Sequence, residues 1–432
     1  MIVNNKFFLF AIMGVIYFFI LLLFNGEHEF ILLFIVIISQ LIIIYTSKLI
    51  FDSPLLWYTS AVFIYHFSSL IMFELGFYVY SNKNESLFLY GLIYYFSALP
   101  LFLFRKNNDY SFIWQGLDRK LDKRVLILFY FIFSFLTILL NIKFLMSGVT
   151  DKGDAILNGI IRYNFVYNWF TVISIVFLVS IRDSKKYIFY FILTLIVCLF
   201  TSLNTGERDV ILNFILTFLV LNISLKKISK KKALIVIMIT GLSIPILQGL
   251  KTIFIKDVTT VISGDALPFV VRLLQGEFMS ASRNLDWLLA RNNQYDLFLG
   301  ANLIKDILVG ISPISLGIQN SQTWFNETFF PNIVATGQGY GFSLYGSFLI
   351  SFGFLGLVFL TLLYSLFLVI FFNKRYKSPF LFLLSLFMIT PAIYSQRGDL
   401  SVVLSYIIKQ NILPLLMVYA CSLYMRGKIV IK

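Results

Sequence analysis

The chain is 432 residues long, 59% hydrophobic and only 13% charged, with a mean hydropathy of +0.87. That leaves too little polar surface for a water-soluble globule and defines an all-α polytopic membrane protein. The net charge of +14 would suit a nucleic-acid partner only if the basic residues formed one surface, and their distribution along the chain argues against that.

Apolar runs near the roughly 17 to 25 residues needed to cross a bilayer recur about twelve times. They fall at about 7–24, 30–45, 55–73, 87–104, 125–145, 166–181, 187–203, 210–225, 233–250, 352–372, 379–395 and 400–424. With a cytoplasmic N-terminus, the inner connections hold 22 of the 35 basic residues but only 5 of the 21 acidic ones. This is the positive-inside pattern, so topology accounts for the charge, no nucleic-acid partner is implied, and both termini are cytoplasmic. The first apolar run has one Lys before it and no small-residue cleavage site, as in a retained first helix. Cys198 and Cys421 fall in different spans without Cys or His at ligand spacing and read as buried thiols. No zinc pattern, Walker loop or dinucleotide fingerprint occurs, so no metal or cofactor is expected.

Three regions follow: residues 1–250 with nine spans, a long outer segment over 251–340, and 341–432 with three more spans. The stretch from Lys251 to Tyr340 carries 6 basic and 7 acidic residues, and loops this long are usually functional or disordered. Its apolar content argues for order. Leu267 to Arg291 reads as a helix with Pro268 in the first turn. Arg272 and Arg283, eleven apart, share a face with Asp286, while Glu277 lies well round from them. Asn302 to Val309 reads as a second, short helix. Ser312-Pro313, Gly317, Pro331, Gly337, Gly339 and Gly341 mark a turn-rich return to the membrane, and Phe342 to Ile350 reads as interfacial or as the start of a span longer than one crossing requires.

Arginines on the outer side run against the positive-inside rule and so call for a reason. Arg208 stands in Asn204-Thr205-Gly206-Glu207-Arg208-Asp209 and Arg397 in Gln396-Arg397-Gly398-Asp399, both tight turns between spans. Arg162, Arg272, Arg283 and Arg291 complete the set. A guanidinium donates two parallel hydrogen bonds and stays charged, which suits phosphate. The alternatives are an ion pair of Arg208 with Glu207 or Asp209, one of Arg397 with Asp399, and a solvated face for Arg272 and Arg283. Glu277, Asp286 and Glu327 are the candidate bases, because deprotonating an attacking hydroxyl needs an acceptor near the reacting centre. His66, in mid-span, reads as a hydrogen-bonding group of the bundle. Lys409, inside the last span, is either functional or snorkelling.

Three stretches resemble the Wzy-type polymerases of oligosaccharide repeat units that build O-antigen or capsule. They are Thr205-Gly206-Glu207-Arg208; Gly339-Tyr340-Gly341-Phe342-Ser343 followed by Ser351-Phe352-Gly353-Phe354-Leu355-Gly356; and Gln396-Arg397-Gly398-Asp399-Leu400 with Lys409 and Pro414. The Arg-x15-Gly spacing described for some members is absent. The resemblance implies a bacterial inner (cytoplasmic) membrane protein with a large periplasmic loop. It implies a glycosyltransferase that moves a growing glycan from undecaprenyl diphosphate to the non-reducing sugar hydroxyl of a fresh lipid-linked unit. Family positions carry over to Arg208 and Arg397. The partners would be the lipid bilayer and the undecaprenyl-diphosphate-linked oligosaccharide, with room for a chain-length regulator. An O-antigen ligase is the nearest alternative but is expected to use a histidine in its large loop, and this loop has none. A lipid-linked oligosaccharide flippase or other transporter is the alternative from another class, and a non-enzymatic membrane scaffold is a third.

Overall fold

A computed structural model describes residues 5–24, 27–48, 53–104, 111–147, 165–205, 208–224, 229, 232, 271 and 274–427. The backbones of Arg208 and Glu277 are included and their side chains are not; Arg162 and Arg272 lie outside the described residues, as does the expected span 233–250. Every described element is helical.

Helices α1 (Asn5–Leu23), α2 (Glu29–Ser47), α3 (Pro54–Glu74) and α4 (Lys83–Ala98, running into a 3-10 turn over Leu99–Leu103) pack as one group. Helix α5 (Ser111–Lys120) precedes a second group, α6 (Lys123–Met146), α7 (Phe165–Ser180), α8 (Tyr187–Thr205) and α9 (Arg208–Ser224). A π-helical turn, Leu274–Phe278, leads into α10 (Met279–Leu289), followed by α11 (Ala301–Ile311), α12 (Ser321–Phe329) and a single turn at Pro331–Val334. The C-terminal part comprises α13 (Leu344–Lys374), α14 (Pro379–Phe387), α15 (Ile389–Tyr394) and α16 (Leu400–Ser405). It closes with a π-helical segment, Tyr406–Ile412, that continues as α17 (Leu413–Met425).

Eight of these helices are long and apolar enough to cross a membrane, and three shorter apolar ones occupy 165–180, 209–223 and 379–394. The eleven expected spans within the described residues are therefore helical. Side-chain placement agrees with a lipid solvent. Phe8, Val15, Phe19 and Leu22 on α1 and Leu128 and Phe135 on α6 are exposed, an apolar belt that a soluble protein would not leave in water. Helix α7 buries nearly its whole surface, marking it as an inner helix. Polar groups inside the bundle find one another, as Tyr58 with Tyr345 (2.6 Å) and Tyr94 donating to Gln40 (2.9 Å), because no water is there to satisfy them. Cys198 is buried as expected, whereas Cys421 is only half-buried; both are free thiols.

The surplus length expected before the tenth span has a specific form. Helix α13 is broken at Phe352 and Gly353, where Gly353 adopts φ 67°, ψ −159°, a region open essentially to glycine alone. The break lets residues 298–300 lie across it: Phe298 N–H donates to Ile350 O at 2.9 Å, and a Cβ on Gly300 would stand 2.7 Å from the Phe352 ring. Residues 344–351 are thus a short buried helix, and the crossing proper follows Gly353.

Candidate functional site

Helix α10 carries two of the expected site residues and is fastened in place by one of them. Asp286, 1% exposed, accepts four hydrogen bonds, from the Tyr78 hydroxyl (2.7 Å), the Ser81 and Asn82 amides (2.8 and 2.9 Å) and the Ser86 hydroxyl (2.7 Å). Four donors fill the acceptor sites of a carboxylate. Asp286 therefore clamps α10 to the α3–α4 connection, and none of its lone pairs is left for a substrate proton. Burial and this carboxylate together push the Tyr78 phenol well above its ordinary pKa, so Tyr78 stays a donor. Tyr90 adds a bond to the Ser282 carbonyl at 2.7 Å.

Three residues before Asp286, the Arg283 guanidinium lies 5.0 Å from the centre of the Tyr340 ring, a cation–π distance. The neighbouring Asn284 amide donates to Gly341 O at 2.6 Å. Asn326 of α12 grips the same stretch twice, donating to Tyr340 O (2.9 Å) and accepting from its N–H (2.6 Å). On its other side Gly341 meets the Arg397 turn so closely that a Cβ would stand 2.6 Å from Arg397 O. Leu344 N–H then donates to Ser395 O at 2.9 Å. The returning chain is thus threaded between the loop helices and the Arg397 turn, and only glycine fits at the crossing.

The Arg397 turn is rigid for reasons legible in its neighbours. His66 Nε2 and Gln396 Oε1 pair at 3.1 Å, in keeping with a bundle-bonding role for that histidine. Asp399 does not serve as a simple countercharge: it caps α16 by accepting from Val402 N–H (2.9 Å) and the Ser401 hydroxyl (2.7 Å), and it also accepts from Gln322 N–H of α12 (2.9 Å). The Arg397 guanidinium lies 5.3 Å from the Tyr394 ring centre. Tyr394 contacts Tyr406 (5.2 Å between centroids), and the Tyr406 hydroxyl donates to Asp209 Oδ2 at 2.5 Å. Arg208 is the first residue of α9 and Asp209 the second. The two Arg turns, separate in sequence, therefore sit at the same end of the bundle, joined through Tyr394, Tyr406 and Asp209. The Tyr65 ring contacts Phe278, just before α10, at 5.2 Å.

Beside this junction opens a cleft of about 150 Å³, lined by Phe165, Tyr167 and Asn168 of α7, Asp209 and Val210 of α9, and Tyr406 and Gln410 of the π-helical segment. In the sequence Asp209 figures only as a countercharge for Arg208; its place in a cleft depends on α7, which no local pattern links to it.

A second feature had no sequence signal. Asp306 of α11 accepts from the Ser321 amide and hydroxyl, both at 2.7 Å, so Asp306 and Asp399 together hold the first turn of α12. Burial and the nearby Asp399 push the Asp306 carboxyl up to about 7, and burial raises Asp399 as well.

The remaining candidates stand apart. Glu327 is exposed and accepts from Gln319 at 2.7 Å. Arg291 stacks on Trp287 at 4.0 Å, the anchoring role of a helix end. The Lys409 ammonium donates to Val309 O at 2.9 Å and so caps the C-terminus of α11, where positive charge is favoured. Glu277 lies in the π-helical turn before α10. Among the described residues no three His, Cys, Asp or Glu side chains converge as a metal site would require.

The fold and this junction define a helical membrane protein with two cationic turns drawn together at one end under a partly helical loop. Residues 286–428 match the family model of the O-antigen polysaccharide polymerase Wzy, the family that the three motifs resemble. The match takes in about a third of the chain, from the Asp286 clamp through the returning segment and the Arg397 turn. Comparison with curated proteins and with solved structures returned no match.

Proposed function

We propose that the protein polymerises lipid-linked oligosaccharide repeat units at the outer face of the bacterial cytoplasmic membrane, making O-antigen or capsular polysaccharide. The growing glycan leaves undecaprenyl diphosphate and is joined to a sugar hydroxyl of the incoming unit. Arg397 and Arg208 hold the diphosphate as negative charge develops on it, with Arg283, and Arg272 from the preceding segment, as further cations. The observation that carries this reading is the family match over residues 286–428, which takes in Gly341 and the Arg397 turn. Of the carboxylates expected as bases, Asp286 has its acceptors filled and Glu327 is open to solvent; Glu277 keeps its candidacy.

Loss of the gene tests the function against its rivals. Surface glycan separated on a gel should show a single repeat unit on its carrier or core. Loss of that unit too would point to a flippase, and unchanged chain length would refute polymerisation.

A further inference from the structure

The cleft beside the Arg junction has a chemistry opposite to that of the junction itself. Among the described residues its lining contains no lysine or arginine, and the lining atoms left without a partner are acceptors. Asp209 receives one hydrogen bond from a described residue, that of Tyr406 on Oδ2. Asn168 is 8% exposed, and its Oδ1, like Oε1 of Gln410, is buried without a partner among the described residues. Buried acceptors left unpaired are costly, and two lining one cleft with a carboxylate call for a ligand that brings donors. A diphosphate brings none. A sugar brings several hydroxyls together with C–H faces that pack on rings, and Phe165, Tyr167 and Tyr406 supply the rings. The cleft's volume of about 150 Å³ equals roughly five water molecules at ~30 Å³ each, the scale of one sugar ring.

We infer that this cleft is the acceptor subsite of the polymerase proposed above, binding the terminal sugar of the incoming unit, and that Asp209 is the base for its attacking hydroxyl. The hydroxyl oxygen bonds to the anomeric carbon of the donor glycan while the bond from that carbon to the diphosphate oxygen breaks. The electron pair departs with undecaprenyl diphosphate. The proton passes to Asp209 and from there to solvent. Tyr406 holds Oδ2, which leaves Oδ1 for the substrate, and Tyr394 bridges Tyr406 to the Arg397 guanidinium, so the acceptor lies next to the leaving group's cations. Asn168 and Gln410 accept from neighbouring hydroxyls and position the sugar.

The test uses the full chain purified into lipid vesicles and the undecaprenyl-diphosphate-linked repeat unit that accumulates in cells lacking it. Asp209→Asn, nearly isosteric, should lower the turnover number on the order of 10²-fold or more, and Asp209→Glu should restore part of it with a displaced acid limb in the pH–rate profile. Asn168→Leu should raise KM for the acceptor by about tenfold while the turnover number holds, a split that a purely structural role would not produce. The free repeat-unit oligosaccharide, lacking diphosphate, should bind wild type and Arg397→Ala alike but bind Asn168→Leu and Gln410→Leu weakly. Unaltered polymerisation and pH profile in Asp209→Asn, with Arg397→Ala inactive, would overturn the subsite and leave the polymerase standing. Wild-type protein that forms no polymer would overturn both.

Discussion

At the residue scale, Arg397 and Asp286 illustrate how surroundings assign a role. Arg397 sits on an aromatic ring in a turn whose neighbouring carboxylate is occupied with helix caps. Arg397→Ala should reduce polymer formation on the order of 10²-fold, as removing one donor to a developing charge does. Arg397→Lys should recover little of it, because a point charge lacks the planar fork; full-length glycan in either strain would remove Arg397 from the site. Asp286 makes the opposite prediction. Asp286→Asn leaves neutral donors facing an amide N–H and should cost about 1 to 3 kcal/mol, the range for leaving a buried donor unpaired, read as a lower unfolding temperature of the detergent-solubilised protein. A variant that unfolds normally and fails only in turnover would restore Asp286 as a candidate base.

At the element scale, the decisive contact is Gly341 against the Arg397 carbonyl. Gly341→Val should move the turn and abolish long chains while the protein still inserts and keeps its amount; wild-type chain length would show that the turn tolerates displacement. The joint of α11, α12 and α16 carries its own pH dependence. The Asp306 carboxyl is raised in the fold, so between about 4 and about 7 the folded state holds a proton that the unfolded chain has released, and stability falls as pH rises through that window. Because Asp399 titrates with it, the pair shares this behaviour. Asp306→Asn should flatten the decline in unfolding temperature over this range, and an unchanged slope would locate the pH dependence elsewhere.

At the scale of the whole molecule, orientation is open to direct measurement. Thiol reagents that do not cross the membrane should label Val79→Cys and Leu316→Cys, both at exposed positions, in intact cells with the outer barrier permeabilised, and should spare Lys186→Cys. The reverse pattern would invert the topology and remove the substrate side proposed above. Composition and hydropathy were enough to read the helical class and most helix limits, because the bilayer permits only apolar helices of set length. Turn chemistry picked out Arg208 and Arg397, since a cation against the topological charge bias stands out in one dimension.

What the sequence determined alone was therefore the solvent the protein lives in, the order of its helices and the turns in which Arg208 and Arg397 stand. Tertiary structure decided what surrounds each charge: Asp286 became a clamp once donors from the α3–α4 connection and the first turn of α4 closed on it, Lys409 became a helix cap, and Asp209, beside two amide oxygens without a partner among the described residues, came to line a cleft. The physical reason is that a side chain's role depends on who donates to it and what excludes water from it. Here those partners stand two hundred or more positions away for Asp286 and close to two hundred for Asp209.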